Sequence, residues 1–378
     1  GAVGYFGYDM VRFIEKIPDK NPDRFEIPDS FFIITDTLLV FDHLKRKILI
    51  VANSAVDDYA SPSAAFDAAV RRIDAEALKL SRGRLSVRGG RRDSGASQAG
   101  PIESNFSLAR FKEAVLKAKR YIKSGDIIQV VLSRTLKTKT RASALDIYRG
   151  LRSINPSPYM FYLDCGNFKL VGSSPEVHVR CEAGKAMLRP IAGTRPRGAD
   201  ARQDAKLARE LLADPKERAE HVMLVDLGRN DLGRVCQYRS VRVPEFMVIE
   251  RYSHVMHIVS LVEGLLKKGK NAFDLLRATF PAGTVSGAPK IRAMEIIEEL
   301  ETQKRSFYAG VVGYFSFSGN LDSCIAIRTF LIKNKTAIAQ AGAGIVADSV
   351  PEREYLETQN KARALFKAVE LAESGALS

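Results

Sequence analysis

The chain has 378 residues, of which 46% are hydrophobic, and a formal net charge of +14. This length allows a large core, no apolar run is long enough to span a membrane, and the first residues do not resemble a signal peptide. The basic charge raises the question of nucleic acid. Much of it falls between residues 71 and 141, which include the Gly-, Ser- and Arg-rich stretch 81–100. That stretch lacks interleaved aromatics, so we interpret it as a flexible loop; a basic nucleic-acid-binding protein stays the alternative of another class.

The cysteines indicate the cellular compartment of the protein, and the first residues indicate whether the chain is part of a longer protein. Cys165, Cys181, Cys236 and Cys324 are far apart and lack metal or redox spacing. We therefore expect buried thiols in a reducing, cytoplasmic compartment. The chain opens on Gly-Ala-Val rather than on an initiator Met, so we expect a piece of a longer protein.

The first half of the chain is predicted to alternate between strands and helices. Residues 1–60 have strand character, with 31–41 and 47–52 joined by the charged turn 42–46. Helices are predicted over 62–80, from Ser107 to Ser124, and over 143–153. After a strand beginning at Asp126, three strands at 159–165, 168–173 and 176–181 follow with short turns, which predicts a meander.

The second half contains more helix. Helices are predicted over 201–212, from Asp214 onward, over 272–278 and 289–302, and at the C-terminus. Residues 241–262 have strand character, and 309–317 with 323–331 predict a hairpin around 318–320. Meanders with intervening helices favour an α+β fold with antiparallel sheets over regular βαβ alternation.

Two helices are predicted to carry paired carboxylates. Glu354, Glu357 and Lys361 share one face of the last helix, and Glu217 and Glu220 repeat the spacing before an apolar run. A solvated helix face with ion pairs explains one such pattern. Here there are two carboxylate pairs, and one of them adjoins an apolar run that is expected in the core. Like charges that are buried together are unfavourable unless a cation joins them, so the two pairs favour a bound cation. Oxygen ligands suit Mg²⁺ better than zinc.

These segments also carry a family resemblance. Residues 341–351, followed by Glu354, Glu357 and Lys361, resemble the C-terminal signature of the chorismate-utilising enzymes, and 225–235 is similar to another block of that family. The resemblance runs from about Phe106 to Ala368, and it is greatest to the large subunits that form anthranilate.

The resemblance implies an α+β fold in which a two-sheet antiparallel β-sandwich is flanked by helices, with the active site between the sheets. It places a chorismate-binding catalytic domain at 101–378, after the loop 81–100. It makes 1–80 a strand-rich part of the same fold, from which the family's N-terminal segment is missing. The implied reaction is the Mg²⁺-dependent conversion of chorismate and ammonia to anthranilate and pyruvate, at the start of tryptophan biosynthesis.

The resemblance also implies the roles of individual residues. Glu220 and Glu357 would hold Mg²⁺, with Glu217 and Glu354 beside them. Glu176 would be the general acid, with a pKa raised by burial, and His257 would act in the elimination. His221 would have at most a supporting role around the metal. The substrate-binding residues would be Gly193, Thr194, Tyr308, Arg328, Gly342, Ala343, Gly344 and Lys361.

Two positions separate branches of the family. Members that add water have a lysine base where this chain has Gln129, whose amide cannot deprotonate water. Members that make aminodeoxychorismate have a nucleophilic lysine where this chain has Ala192. Both residues favour ammonia as the nucleophile and anthranilate as the product; aminodeoxychorismate synthesis in the folate branch stays the alternative.

A partner and a regulator are implied as well. Ammonia would come from a glutamine amidotransferase subunit in a hetero-oligomer, because none of the four cysteines lies in a glutaminase-like nucleophile turn. Pro158, Tyr159 and Met160 resemble part of the family's tryptophan-inhibitor site. A catalytically inactive scaffold is a third class of function that the sequence leaves open.

Overall fold

The structure is a computed structural model that describes residues 1–82, 100–252 and 255–375. Most of the predicted loop 81–100 lies outside these residues. The chain forms two compact units, one of Gly1–Val3 with Phe32–Asp93 and one of Gly4–Phe31 with Ser94–Ser378. Within the described ranges, no helix is both long and apolar enough to cross a bilayer.

The strands are numbered in chain order. They are β1 Ala2–Phe6, β2 Ser30–Ile34, β3 Thr37–Asp42, β4 Lys47–Ala52, β5 Glu103–Ser104, β6 Gln129–Lys139, β7 Tyr159–Asp164, β8 Lys169–Ser174, β9 Val177–Glu182, β10 Lys185–Leu188, β11 Ile191–Pro196, β12 Arg242–Arg251, β13 Val255–Leu265, β14 Gly287–Ala288, β15 Val311–Phe315, β16 Leu321–Ile325, β17 Thr329–Lys333 and β18 Thr336–Ile345.

The helices are numbered in the same way. They are α1 Pro62–Arg82, α2 Leu108–Lys123, α3 Ala144–Ile154, α4 Ala201–Ala213, α5 Pro215–Val235, α6 Ala272–Thr279, α7 Gly283–Ser286, α8 Lys290–Leu300 and α9 Pro351–Glu373, with 3₁₀ helices at Tyr8–Phe13 and Val56–Asp58.

Local capping explains why several helices begin where the sequence predicts. The Ser107 hydroxyl accepts a hydrogen bond from a backbone amide at the start of α2, and Ser143 does the same for α3. Asp214 caps α5, and Pro215 fills its first turn. The ranges of α1 to α5 match the predicted helices, so these predictions are confirmed.

The smaller unit contains the β3–β4 hairpin and helix α1. Asp42 pairs with Lys47 across the predicted charged turn, so that hairpin is confirmed. Thr35 and Asp36 interrupt the strand predicted over 31–41, and the chain forms β2 and β3 instead. Helix α1 packs against β4.

The larger unit is built on two antiparallel sheets. One has the order β14-β6-β18-β17-β8-β7, with β5 added to β6. The other has the order β11-β13-β10-β9-β16-β15, with β12 added to β13, and it continues into the part of β1 in this unit. Helices α3 and α9 bury an apolar cluster against the first sheet, and α2 and α8 bury a second one. The four cysteines are buried and free, as predicted.

The predicted meander of β7, β8 and β9 is wrong. Strand β8 pairs with β7 and β17, whereas β9 pairs with β10 and β16 in the other sheet. The chain therefore changes sheets at Pro175 and Glu176. The alternating pattern that predicts each strand contains no information about which sheet it joins.

A second sheet change lies beside the first. The predicted strand 323–331 is two strands, because β16 pairs with β15 and β17 pairs with β18 in the other sheet. Residues 326–328 make the crossing. The Ile325 amide donates to the Glu176 carbonyl at 3.0 Å, and the Ser173 amide donates to the Arg328 carbonyl at 3.0 Å. These bonds hold the two crossings side by side.

Candidate active site

Arg328 ends one crossing in an unusual backbone conformation. Its φ is +51°, in the left-handed region that a residue with a Cβ seldom adopts. Such strain persists where the surrounding structure imposes it, and it is frequent at functional sites. Within the part of the chain that the structure describes, no carboxylate lies within ion-pair distance of Arg328. Burial lowers the pKa of the guanidinium, but an arginine remains charged, so Arg328 is free to bind an anion.

Glu176 occupies the other crossing. Burial raises the pKa of its carboxyl to about 7, while the Thr284 hydroxyl and the Lys361 charge act in the opposite direction. Near neutral pH about half of these carboxyl groups are protonated. The raised pKa that the sequence predicts is confirmed, and Glu176 can donate a proton.

Tyr308, Gly342 and Lys361 meet next to the crossings. A Cβ added to Gly342 would lie 2.7 Å from the Tyr308 hydroxyl, which shows how closely the ring approaches the β18 backbone. Lys361 Nζ donates to the Gly342 carbonyl at 3.0 Å. Tyr308 also interacts electrostatically with Arg328 and Glu176, and burial raises its pKa to about 12. The structure therefore brings these predicted residues together.

Gln129 lies on the neighbouring strand. It begins β6, where it pairs with Ala288, and its side chain is 4% exposed. A Cβ on Gly344 would lie 2.6 Å from Gln129 Nε2, so the amide occupies the space that the missing side chain leaves. Gln129 Oε1 is buried without a hydrogen-bond partner among the described residues. An unpaired buried acceptor of this kind is suited to a ligand donor.

The four predicted metal carboxylates interact across α5 and α9. The pKa of Glu220 is raised by burial first and then by the negative charges of Glu217 and Glu357. The pKa of Glu354 is raised by burial and by Glu357. Acids from two helices therefore repel one another at one place, which a cation would relieve.

The carboxylates are not gathered around one point. Among the residues described, no three Asp, Glu, His or Cys side chains lie close enough to hold one metal ion. Glu217 pairs with Arg195 at 3.2 Å, and Glu357 pairs with Lys361 at 2.7 Å. Two of the four acids thus have a cationic partner, and the repulsion on Glu220 remains.

Gly193, Thr194 and His257 form a third part of the site. The β11–β13 register shifts between Ala192 and Thr194, and Gly193 has a φ of +67° that glycine tolerates. His257 Nδ1 lies 2.9 Å from the Gly193 carbonyl and 3.1 Å from the Thr194 hydroxyl. A Cβ on Gly193 would lie 3.1 Å from Glu217 Oε2, so this turn adjoins the carboxylates.

Two other predicted groups have different surroundings. His221 is fully buried, its Nε2 lies 2.6 Å from the Ser260 hydroxyl, and burial lowers its pKa to about 4. It is a neutral core histidine. In the predicted inhibitor motif Pro158 is exposed, the Tyr159 hydroxyl donates to Asp322 at 2.8 Å, and Met160 packs on the α3–α9 cluster.

The sequence prediction missed several residues at the site. Thr284 borders Glu176, Arg195 neutralises Glu217, and Lys290 forms a buried pair with Asp231. The stretch 281–290, with two prolines and two glycines, was the available signal for a tight structure around Thr284. The pairing of the cations depends on long-range packing that the local sequence does not show.

Known proteins resemble this chain over nearly its whole length. The model of the chorismate binding enzyme family matches residues 1–367. Anthranilate synthase component 1 of Acetivibrio thermocellus is 52% identical over 378 residues, which cover 98% of this chain and 75% of that protein. The protein of the same name from Aquifex aeolicus is 50% identical over 386 residues, which cover 99% of this chain and 75% of its own length.

A solved structure shows the same architecture. The crystal structure of anthranilate synthase component I from Streptococcus pneumoniae TIGR4 matches with a TM-score of 0.87 and 40% identity, over 97% of this chain and 80% of that one. The α+β fold with antiparallel sheets and helices is thereby confirmed. On sequence and on fold, this chain belongs to the chorismate binding enzyme family.

Proposed function

We propose that the chain is a carbon–oxygen lyase that converts chorismate and ammonia to anthranilate, pyruvate and water. The names of its relatives support this reaction. The observation that carries the proposal is the pair of adjacent sheet crossings. They set an acid with a pKa near 7, Glu176, beside Arg328, an arginine that has no carboxylate partner among the described residues.

The cationic and amide groups suit a dianion. Arg328 can hold one carboxylate through two N–H donors, and Tyr308 lies near it. Lys361 adds a positive charge near Glu176. The Gly342–Gly344 backbone offers a close approach because it has no Cβ at two of its three positions. Gly193 and Thr194 would contact the ring from the other side.

The carboxylates of α5 and α9 are the type of donor that Mg²⁺ prefers. Glu220 and Glu357 would hold the ion, with Glu217 and Glu354 beside them, because all four are oxygen donors and because burial and like charge raise the pKa values of Glu220 and Glu354. When bound, Mg²⁺ supplies a positive charge that binds the ring carboxylate and withdraws electron density from the ring.

Proton transfers complete the reaction. Glu176 donates its proton to the departing hydroxyl, which leaves as water when ammonia adds to the ring. His257 acts in the elimination that releases pyruvate, held by Gly193 and Thr194. The Gln129 amide is not a base and cannot activate water. Ammonia is already a nucleophile and does not require a base.

A second family activity is less well supported. Formation of aminodeoxychorismate in the family proceeds through a lysine that this chain replaces with Ala192, which is buried in β11. An alanine provides neither a nucleophile nor a charge. We therefore favour anthranilate as the product.

The cellular setting is proposed on the same basis. Ammonia would be delivered by a glutamine amidotransferase subunit, since the relatives are named as one component of a synthase. Pro158, Tyr159 and Met160 would belong to a site for the feedback inhibitor tryptophan. The enzyme would act in the cytoplasm.

Turnover with defined substrates tests the function. Chorismate, Mg²⁺ and an ammonium salt are incubated with the protein, and anthranilate is followed by fluorescence while all products are identified by mass spectrometry. We expect anthranilate and pyruvate in equal amounts, and no product in EDTA. Aminodeoxychorismate as the end product, or salt-sensitive nucleic acid binding without turnover, would refute the proposal.

A further inference from the structure

A cleft opens directly beside Glu176. It contains about 420 Å³ of space free of atoms, its open mouth included, and it is bordered by β9, β10, α5 and α7. Glu176 and Thr284 form part of its wall, so it adjoins the proposed acid. Leu227, Gly228 and Asp231 line it from α5, the helix that also carries Glu217 and Glu220.

The cleft does not suit the chorismate dianion. Tyr308, Arg328 and Lys361 are not among its lining residues. The cations at the cleft already have partners: Lys290 contacts both oxygens of Asp231 at 2.9 and 2.8 Å, and Arg189 pairs with Glu250. A carboxylate entering the cleft would lose its hydration without gaining an unpaired cation.

A small neutral molecule fits the cleft better. Most of its walls are apolar, and the ionisable groups carry little net charge: Asp231 is neutralised by Lys290, and burial lowers the pKa of His178 to about 3, which keeps the imidazole neutral. The buried Thr284 hydroxyl lies beside the Glu176 carboxyl in the cleft wall and favours its charged form. A hydroxyl that donates to a carboxylate keeps its acceptor lone pairs, so Thr284 can still accept a hydrogen bond from a small molecule in the cleft.

We propose that this cleft is the route by which neutral ammonia reaches the reacting centre, with Thr284 and Glu176 at its catalytic end. The inference rests on the proposed function, which requires ammonia as the nucleophile. Apolar walls select ammonia over the ammonium ion, because the ion pays a larger desolvation penalty. Arg328 and Lys361 do not line the cleft and remain available to chorismate.

Two glycines on α5 provide a matched test. A Cβ on Gly228 would lie 3.3 Å from Leu188 Cδ1 and 3.8 Å from Pro190 Cγ, both at the cleft, whereas a Cβ on Gly233 would have no neighbour within 4 Å. Gly228→Val therefore narrows the cleft, and Gly233→Val makes the same change to the same helix on its exposed face. Leu227→Phe is a second narrowing variant in case Gly228→Val folds poorly.

The readout is the Michaelis constant for each substrate, with ammonia varied at constant pH. We expect both narrowing variants to raise the KM for ammonia about tenfold and to change the KM for chorismate less than about twofold. Gly233→Val should have the same two constants as the wild type. Unchanged constants in the narrowing variants, or a raised KM for chorismate in place of ammonia, would overturn the route. If the wild type makes no anthranilate from ammonium salt, the proposed function itself has failed.

Discussion

At the scale of single residues, burial decides which groups can act. Glu176 and His178 lie two residues apart in the chain, and burial shifts their pKa values in opposite directions, to about 7 and about 3. Both shifts favour the neutral form, because the charged form loses its hydration. The Glu176 carboxyl can therefore donate a proton, whereas the His178 imidazole is an uncharged part of the cleft wall.

Replacement of Glu176 tests the proton donor. With free ammonia held constant, kcat of the wild type should fall as the pH rises through about 7, since only the protonated carboxyl donates. Glu176→Gln should lower kcat by roughly 10²–10⁴-fold and abolish that pH dependence. Glu182→Gln, an exposed acid at the end of β9, is the control and should change neither.

The same substitution should affect stability with a defined sign. The pKa of Glu176 is higher in the folded protein than in an unfolded chain, so the unfolded carboxyl ionises first as the pH rises. Folding thus loses stability from Glu176 between about pH 4.5 and pH 7, a loss that the neutral amide avoids. Glu176→Gln should therefore raise Tm relative to the wild type at pH 8 more than at pH 4. An equal shift at both values would contradict a buried, ionisable Glu176.

His257 is predicted to act late in the reaction. In His257→Asn the side-chain amide can still donate to the Gly193 carbonyl, but it cannot accept a proton at catalytic pH. We expect an amino-chorismate intermediate to accumulate, detected by mass spectrometry of quenched reactions. Anthranilate formation at the full rate would assign the elimination to another residue.

At the scale of elements, the sheet crossings are what the sequence could not predict. Helices α2 and α3 have serine caps and apolar periodicity within the segment itself, so their bounds follow from local chemistry. The change of sheet at Glu176 depends on partners over a hundred residues away, such as β16. The resemblance named Glu176 and Arg328, but only the fold shows why they are neighbours.

The contact between β18 and Tyr308 gives an element-scale prediction. Gly342→Ala places a methyl group 2.7 Å from the Tyr308 hydroxyl, so the ring or the strand must move. We expect a loss of about 1–3 kcal/mol in the free energy of unfolding and a marked rise in the KM for chorismate. Tyr308→Phe in that background removes the clashing oxygen and should recover part of the stability, as measured by denaturant unfolding of all four proteins. Purely additive effects would show that the two residues do not meet.

The carboxylates of α5 and α9 can be tested without turnover. Mg²⁺ at 100 times its Kd should stabilise the wild type by about 2.7 kcal/mol, seen as a rise in Tm. Glu357→Gln should abolish that rise in Tm. It should also reduce turnover by more than the roughly 10–100-fold that is typical when a residue that only supports a metal ligand is lost. We expect little unfolding, because Glu357 is 47% exposed.

The control for this experiment lies on the same helix. Glu352 is similarly exposed on α9 and pairs with Lys112, away from the cluster. Glu352→Gln should keep both the Mg²⁺-dependent rise in Tm and the turnover. If Glu357→Gln behaves like Glu352→Gln, Glu357 does not hold the ion.

At the scale of the molecule, the larger unit joins segments from distant parts of the chain. Glu176, Glu220, Arg328 and Lys361 come from four separate stretches, and they act on one another electrostatically or through the crossings. The two carboxylate pairs were predictable from their helical spacing. The ion pair of Glu357 with Lys361 also follows from that spacing. The approach of the two carboxylate pairs, and the pairing of Glu217 with Arg195, were not predictable, because they arise from the tertiary fold that brings α5 near β11 and α9.

The most direct measurement of the central claim is linked binding of Mg²⁺ and chorismate to the wild type by calorimetry, in the absence of ammonia. If one cation among the acids of α5 and α9 holds the dianion against Arg328, chorismate should bind at least about tenfold more tightly with Mg²⁺ than with EDTA, and Mg²⁺ should gain the same factor from chorismate. Equal affinity for chorismate with and without Mg²⁺ would contradict the account.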